Sequence, residues 1–177
     1  VADFVLVGYH RDFLGEVCEM KTDLRVVKTH QAIRGALVSL LKTKPFADIA
    51  AQEIYAAALV NRTTFYKYYS GKRDLAAKMI ADFKQQYAAS LAMRLEADHL
   101  SAALQQAAQE IFAQHELLLA LWQVETPRLH LFADMKAMLQ QHFVALTGND
   151  FRALLMATLL LETVRFYFAR GEMVPVA

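Results

Sequence analysis

The chain has 177 residues and a mass of 20.0 kDa, enough for one domain or two small ones sharing a core. Hydrophobic residues make up 56%, which excludes disorder as the general state, and the single cysteine, Cys18, excludes an intrachain disulfide or a multi-thiolate metal site. The net charge of +1 is uneven: residues 1–19 carry −3, residues 20–80 carry +7 and residues 81–177 carry −3.

A basic block followed by a mildly acidic, apolar one implies two jobs. The block fits a face for a polyanion and equally an ordinary solvated surface. A mean hydropathy of +0.21 is high for a soluble monomer and points to a further buried surface, such as a subunit interface. The apolar run from Ala153 is broken at Glu162, well short of the ~20 residues a bilayer needs, so no membrane span is expected. Neither GxGxxG nor a Walker-type loop occurs. One lone cysteine suits a reducing compartment, and the expected location is cytoplasmic.

Residues 1–19 lack sustained helical periodicity and contain Gly8 and Gly15. They are expected to be a poorly structured leader, a cloning or start-site artefact, with the functional domain beginning near Met20. From about Val26, Ile33, Leu37, Leu40 and Leu41 recur on one helical stripe, and Pro45 closes that helix. A second short helix is expected over Ala51–Ala57, with Ile54 and Ala58 on one face. Asn61 is a good N-cap for a third, over about Arg62–Tyr69, and Val60 with Phe65 has the spacing of a hydrophobic staple. Ser70-Gly71 breaks the chain before a long helix over about Lys72–Ala97, in which Leu75, Met79, Phe83 and Tyr87 repeat every fourth residue.

Further helices are expected over Ser101–Phe112, continuing after a break through Leu117–Gln123. Another runs to about Leu146 with Thr126 as its cap and Pro127 at its first position. Thr147-Gly148-Asn149-Asp150 is the clearest turn. The last helix is expected over Phe151–Arg170, ended by Gly171. No strand is expected, so the fold class is all-α.

Three short helices in a basic block, the third capped and amphipathic, form the layout of a helix-turn-helix. Phe65 and Tyr69 would anchor the third helix inward with Ile33, Leu37 and Leu40. Thr63 and Lys67 point the opposite way, flanked by Tyr66 and Tyr68. Thr29-His30-Gln31-Ala32-Ile33, Lys44-Pro45-Phe46, Val60-Asn61-Arg62-Thr63-Thr64-Phe65-Tyr66-Lys67-Tyr68-Tyr69 and Lys72-Arg73-Asp74-Leu75 together resemble the DNA-binding domain of TetR-family transcriptional regulators. The Asn-Arg-Thr-Thr-Phe-Tyr variant looks like the branch that includes regulators of dihydroxyacetone kinase operons. The motifs cover about Thr29–Leu75; beyond them the resemblance is only in helical character and length.

The resemblance implies a helix-turn-helix domain over 20–74 and a helical ligand-binding and dimerisation domain over 75–177. It implies operator DNA contacts from Arg62, Thr63, Thr64, Tyr66, Lys67 and Tyr68, with Lys72 gripping the phosphate backbone. It also implies a homodimer through the last two helices, repression, and release by a small apolar effector. Two positions depart from the family pattern. Leu59 stands where the family usually has glycine, and Ala50 where it usually has a threonine cap.

The Met- and aromatic-rich second half reads as plain core. By resemblance it also offers an effector pocket, with Phe83, Tyr87, Phe112, His115, Trp122 and Met135 as candidates. His130 and Asp134 are four apart on one helix and His142 lies further along, but no third convergent metal ligand is evident. No nucleophile elbow, HExxH or paired-carboxylate motif occurs, so neither catalysis nor a cofactor is expected. The last helix carries apolar residues nearly all round its axis, which requires burial on two sides. An alternative function is a TetR-like adaptor or coactivator that binds a protein partner and has no effector.

Overall fold

A computed structural model describes residues 24–95 and 109–175. The expected leader over 1–19, the domain start near Met20, the end of the long helix at Ala97 and most of Ser101–Phe112 lie outside these residues. The described chain is almost entirely helical, in keeping with the all-α expectation.

Helix α1 spans Leu24–Leu41 and buries Ile33, Ala36, Leu37 and Leu41, with Leu40 half-buried beside them. After Pro45 a single 3-10 turn, Phe46–Asp48, leads into α2, Ala51–Ala57. Helix α3, Arg62–Tyr68, follows, and then α4, Lys72–Leu95. Leu75, Met79 and Phe83 of α4 are buried on the expected stripe. Residues 109–113 are helical, Gln114 interrupts them, and α5 runs over His115–Trp122, starting two residues earlier than the sequence implied. Helices α6, Leu131–Thr147, and α7, Asp150–Phe168, complete the set.

The approach to α6 differs from expectation. Glu125–Thr126 pairs antiparallel with Leu129–His130 as a two-residue hairpin, β1 and β2, so a small strand pair exists after all. The Thr126 hydroxyl accepts from Leu129 N at 3.0 Å and Arg128 N at 3.4 Å. That oxygen therefore closes the hairpin turn around Pro127 instead of capping a helix, and α6 begins at Leu131. The α6–α7 junction behaves as expected. Gly148 takes a left-handed φ of 63°, and the Asn149 side chain accepts from Arg152 N at 2.9 Å, capping α7. At the far end Glu172 N bonds Tyr167 O and Gly171 N bonds Phe168 O, with Gly171 at φ 70°. This is the Schellman termination that a left-handed glycine allows.

One core runs through both halves. It joins Ile33, Leu37, Ile54, Phe65, Tyr69 and Leu75 to Leu118, Leu121, Leu131, Met135, Ala157 and Leu161. Ion pairs fasten its rim: Arg34 with Asp82 at 2.7 Å ties α1 to α4, Lys42 with Glu116 at 2.9 Å ties the turn after α1 to α5, and Lys84 with Asp134 at 2.9 Å ties α4 to α6. Such part-exposed pairs orient helices more than they stabilise them.

Candidate nucleic-acid interface

Seven residues make a marginal helix in isolation, so α3 depends on its ends and its inner face. At the start, Asn61 Oδ1 accepts from Thr64 N at 2.7 Å and from the Thr63 hydroxyl at 2.8 Å. The helix stops at Tyr68, one residue short of the expected limit, with Tyr69 extended, and Lys78 Nζ donates to Tyr68 O at 3.0 Å. That cation satisfies a last-turn carbonyl and sits at the negative end of the helix dipole. Behind the helix, Phe65 is 0% and Tyr69 1% exposed. The Phe65 ring meets Tyr55 and Tyr69, and Val60 joins the same core.

The buried Tyr69 hydroxyl brings in a residue that sequence reasoning passed over. It hydrogen-bonds with His30 Nδ1 of α1 at 2.7 Å, and the His30 ring also lies 4.6 Å from that of Tyr68. Burial, then the nearby cations Arg34 and Lys78, hold His30 below its ordinary pKa. His30 lies within the quoted sequence motif, but nothing in its type or spacing foretold a partner 39 residues away.

The outer face of α3 is polar and cationic. Arg62, Thr63, Tyr66 and Lys67 are exposed, and Thr64 and Tyr68 are half-exposed. No acidic side chain lies on the helix. The Arg62 guanidinium lies 5.7 Å from the Tyr66 ring and the Lys67 ammonium 5.5 Å from the Tyr68 ring, so both tyrosines lie beside positive charge. Six of the seven expected DNA-contact residues therefore sit on one short helix.

Lys72 is placed differently. Its Nζ donates to Phe46 O at 2.9 Å, Ala47 O at 2.8 Å and Ile49 O at 2.6 Å. An ammonium has three protons, and here all three are held by the chain's own carbonyls, leaving none for a phosphate in this arrangement.

The two departures from the family pattern are both visible in the backbone. Leu59 has φ 54°, with Leu59 N bonded to Ala56 O and Val60 N to Tyr55 O. This is a Schellman end to α2 with leucine where glycine is comfortable, and the side chain is 94% exposed, so it gains nothing in return. Ala50 has no capping side chain; instead the Glu53 carboxylate accepts from Ala50 N at 2.8 Å. That bond and the Lys44 side chain hold the Glu53 carboxyl below its ordinary pKa.

The six effector candidates are drawn into separate contacts. Phe83 stacks on Tyr87. Phe112 stacks on His115, whose Nδ1 donates to Phe112 O at 2.7 Å. Trp122 Nε1 donates to Met135 Sδ at 3.4 Å. An open cleft of about 390 Å³ lies among Ala77, Ile80, Ala81, Lys84, Arg128, Leu129 and Asp134, and none of the six lines it. His130 and Asp134 meet at 3.3 Å, with Asp134 also held by Lys84. Among the described residues no group of three His, Cys, Asp or Glu side chains could hold a metal, and no helix is long and apolar enough to cross a membrane.

Helix α7 has two apolar faces. Ala153, Ala157, Leu161 and Phe168 are buried. At about 100° per residue, Leu155, Leu159 and Phe166 fall opposite them, and all three are exposed.

No protein-family model matches the sequence, and no curated protein matches it. Among solved structures, the chain is similar to the crystal structure of a gamma-butyrolactone receptor described as an ArpA-like protein. The TM-score is 0.60 and the identity 22%, covering 86% of this chain and 91% of that one. The likeness is one of fold: the chain has the all-α architecture of that receptor.

Proposed function

We propose that the chain is a TetR-type transcriptional regulator that binds duplex operator DNA through α3. The observation that carries this reading is the two-sidedness of that helix. Phe65 and Tyr69 lock it from behind, while Arg62, Thr63, Tyr66 and Lys67 face outward with no acid among them. In the proposal Thr63 and Lys67 meet the groove floor, and Arg62, Thr64, Tyr66 and Tyr68 meet its walls. The domain division is the expected one, 20–74 for DNA and 75–177 for dimerisation and effector. The branch resemblance to dihydroxyacetone kinase operon regulators and the cytoplasmic location belong to this same reading.

The active form in the proposal is a homodimer joined through α6 and α7, because the outer stripe of α7 needs an apolar partner. A two-fold dimer brings two copies of α3 to two half-sites of a palindrome. Repression, relieved by a small apolar effector bound in the second half, completes the reading. The effector must prefer one spacing of the two α3 helices over the other. The receptor of similar fold is named for a small lactone, which agrees with an effector of that size class.

Gel shifts on duplex fragments selected by the full chain from random-sequence DNA test the reading. Lys67→Ala and Tyr66→Phe weaken the shift without loss of helical signal. Unchanged shifts for both would show that α3 is not the DNA-facing surface. One observation favours the adaptor alternative: the six effector candidates contact one another and do not line the cleft described. Salt separates the two, since binding through phosphates falls steeply with ionic strength and apolar docking does not.

A further inference from the structure

The ammonium of Lys72 is fully engaged by three carbonyls, and they all belong to one segment. Phe46 and Ala47 lie in the 3-10 turn before α2, and Ile49 follows it. The same ammonium lies 5.0 Å from the centre of the buried Phe46 ring. Six residues further along α4, Lys78 Nζ donates to Tyr68 O at 3.0 Å, at the end of α3. Asp74 Oδ2 accepts from Ser70 N at 2.9 Å and from Lys78 at 3.1 Å. The first two turns of α4 therefore hold the chain on both sides of the α2–α3 pair.

We propose that Lys72 is a positioning residue that locks the entrance of α2 to α4, while Asp74 and Lys78 lock the exit of α3. This rests on the reading of α3 as the DNA-facing helix, and it replaces the phosphate grip expected for Lys72. Lysine suits the task because its three donors fan out from one nitrogen onto carbonyls converging on a point. The planar guanidinium of arginine presents its donors as a fork and does not reproduce that geometry. A phosphate contact, by contrast, tolerates arginine well.

Two measurements on the full chain test the lock. The first uses no DNA. Asp48 N bonds Pro45 O and Ile49 N bonds Phe46 O, so their amide hydrogen exchange reports whether this segment is held. Lys72→Met and Lys72→Arg are both expected to speed that exchange roughly tenfold; exchange unchanged in both overturns the proposal. The second measures duplex binding over a salt series, with fragments retained by the wild-type chain from a random-sequence pool as the probe. Both Lys72 variants are expected to bind more weakly, with the wild-type slope of log Kd against log salt. Lys67→Met is expected to lower that slope by about one, as loss of a phosphate contact does. A slope lowered by about one in Lys72→Met, or wild-type binding in Lys72→Arg, overturns the proposal. If the wild-type chain retains no duplex, the DNA reading fails, and the exchange measurement alone decides the lock.

Discussion

Helices α3 and α7 each turn one face into the protein and one away from it, and their outer faces are chemically opposite. On α3 the inner side is aromatic and the outer side cationic and hydroxylated. On α7 the inner side is apolar, Ala153, Ala157 and Leu161 followed by Phe168 at its end, while the outer side repeats the chemistry of a core. A polar outer face costs nothing in water and needs no partner to be stable. An apolar outer face is unfavourable in water, by roughly 25 cal/mol per Å² left exposed. In the proposed reading the two surfaces take different partners, a polyanion at one and an apolar protein surface at the other, and they should respond oppositely to salt.

The largest expected effect comes from removing what anchors α3. Phe65→Ala should cost about 3–5 kcal/mol, read as a fall in the urea midpoint, because a short helix has no other inner side chain of that size. Next is the apolar face. Leu159→Asp places a charge on the exposed stripe, and with the dimer in place it should shift sedimentation or light scattering from dimer toward monomer. Stability of the monomer fold should be unaffected, since Leu159 is exposed there. A monomeric wild-type chain would remove the dimer from the account. A smaller effect of opposite sign is expected at the end of α2. Leu59→Gly should stabilise the protein by about 1 kcal/mol, because glycine accepts the left-handed backbone that leucine occupies under strain. Loss of stability there would show that the exposed leucine contributes contacts.

The smallest effect concerns pH. The pKa of His30 is lowered by burial and by Arg34 and Lys78, so the unfolded chain binds more protons than the folded one below the ordinary value of 6.5. Stability from this group is therefore complete above pH 6.5 and is lost as pH falls through the lowered folded value. The groups facing His30 are Arg34 on α1, Lys78 on α4 and the Tyr68 and Tyr69 rings. The Tm should fall between pH 7.5 and 5.5 more in wild type than in His30→Gln. The lowered carboxyls of Glu53, Asp74 and Glu116 act in a separate window, below their ordinary 4.5 and 3.8. Equal falls in the two proteins would remove His30 from the balance.

Much of the helical order was legible because helix ends are local chemistry. Asn61, Asn149, Gly148 and Gly171 act where the sequence placed them. The stripes of α1 and α4 follow from a period that one helix alone dictates. Thr126 was misread because a threonine before proline caps a helix or closes a turn equally well, and the choice depends on whether the chain two residues on can pair back. The carbonyl contacts of Lys72 were not legible, because its type and place fitted a phosphate grip. Its three carbonyl partners lie 23 to 26 residues away, in a turn whose folding no local pattern reports. That the effector candidates do not line the cleft found among the described residues was not legible for a related reason: aromatic and methionine side chains suit a core and a pocket alike, and only packing separates the two uses.

The central claim is that α3 presents its outer face to duplex DNA. Backbone amide chemical shifts of the full chain, followed as a selected duplex is added, test it most directly. The account predicts shifts centred on residues 61–68, with little change along the outer face of α7. Shifts centred on α7, or none anywhere as duplex is added in excess, would contradict it.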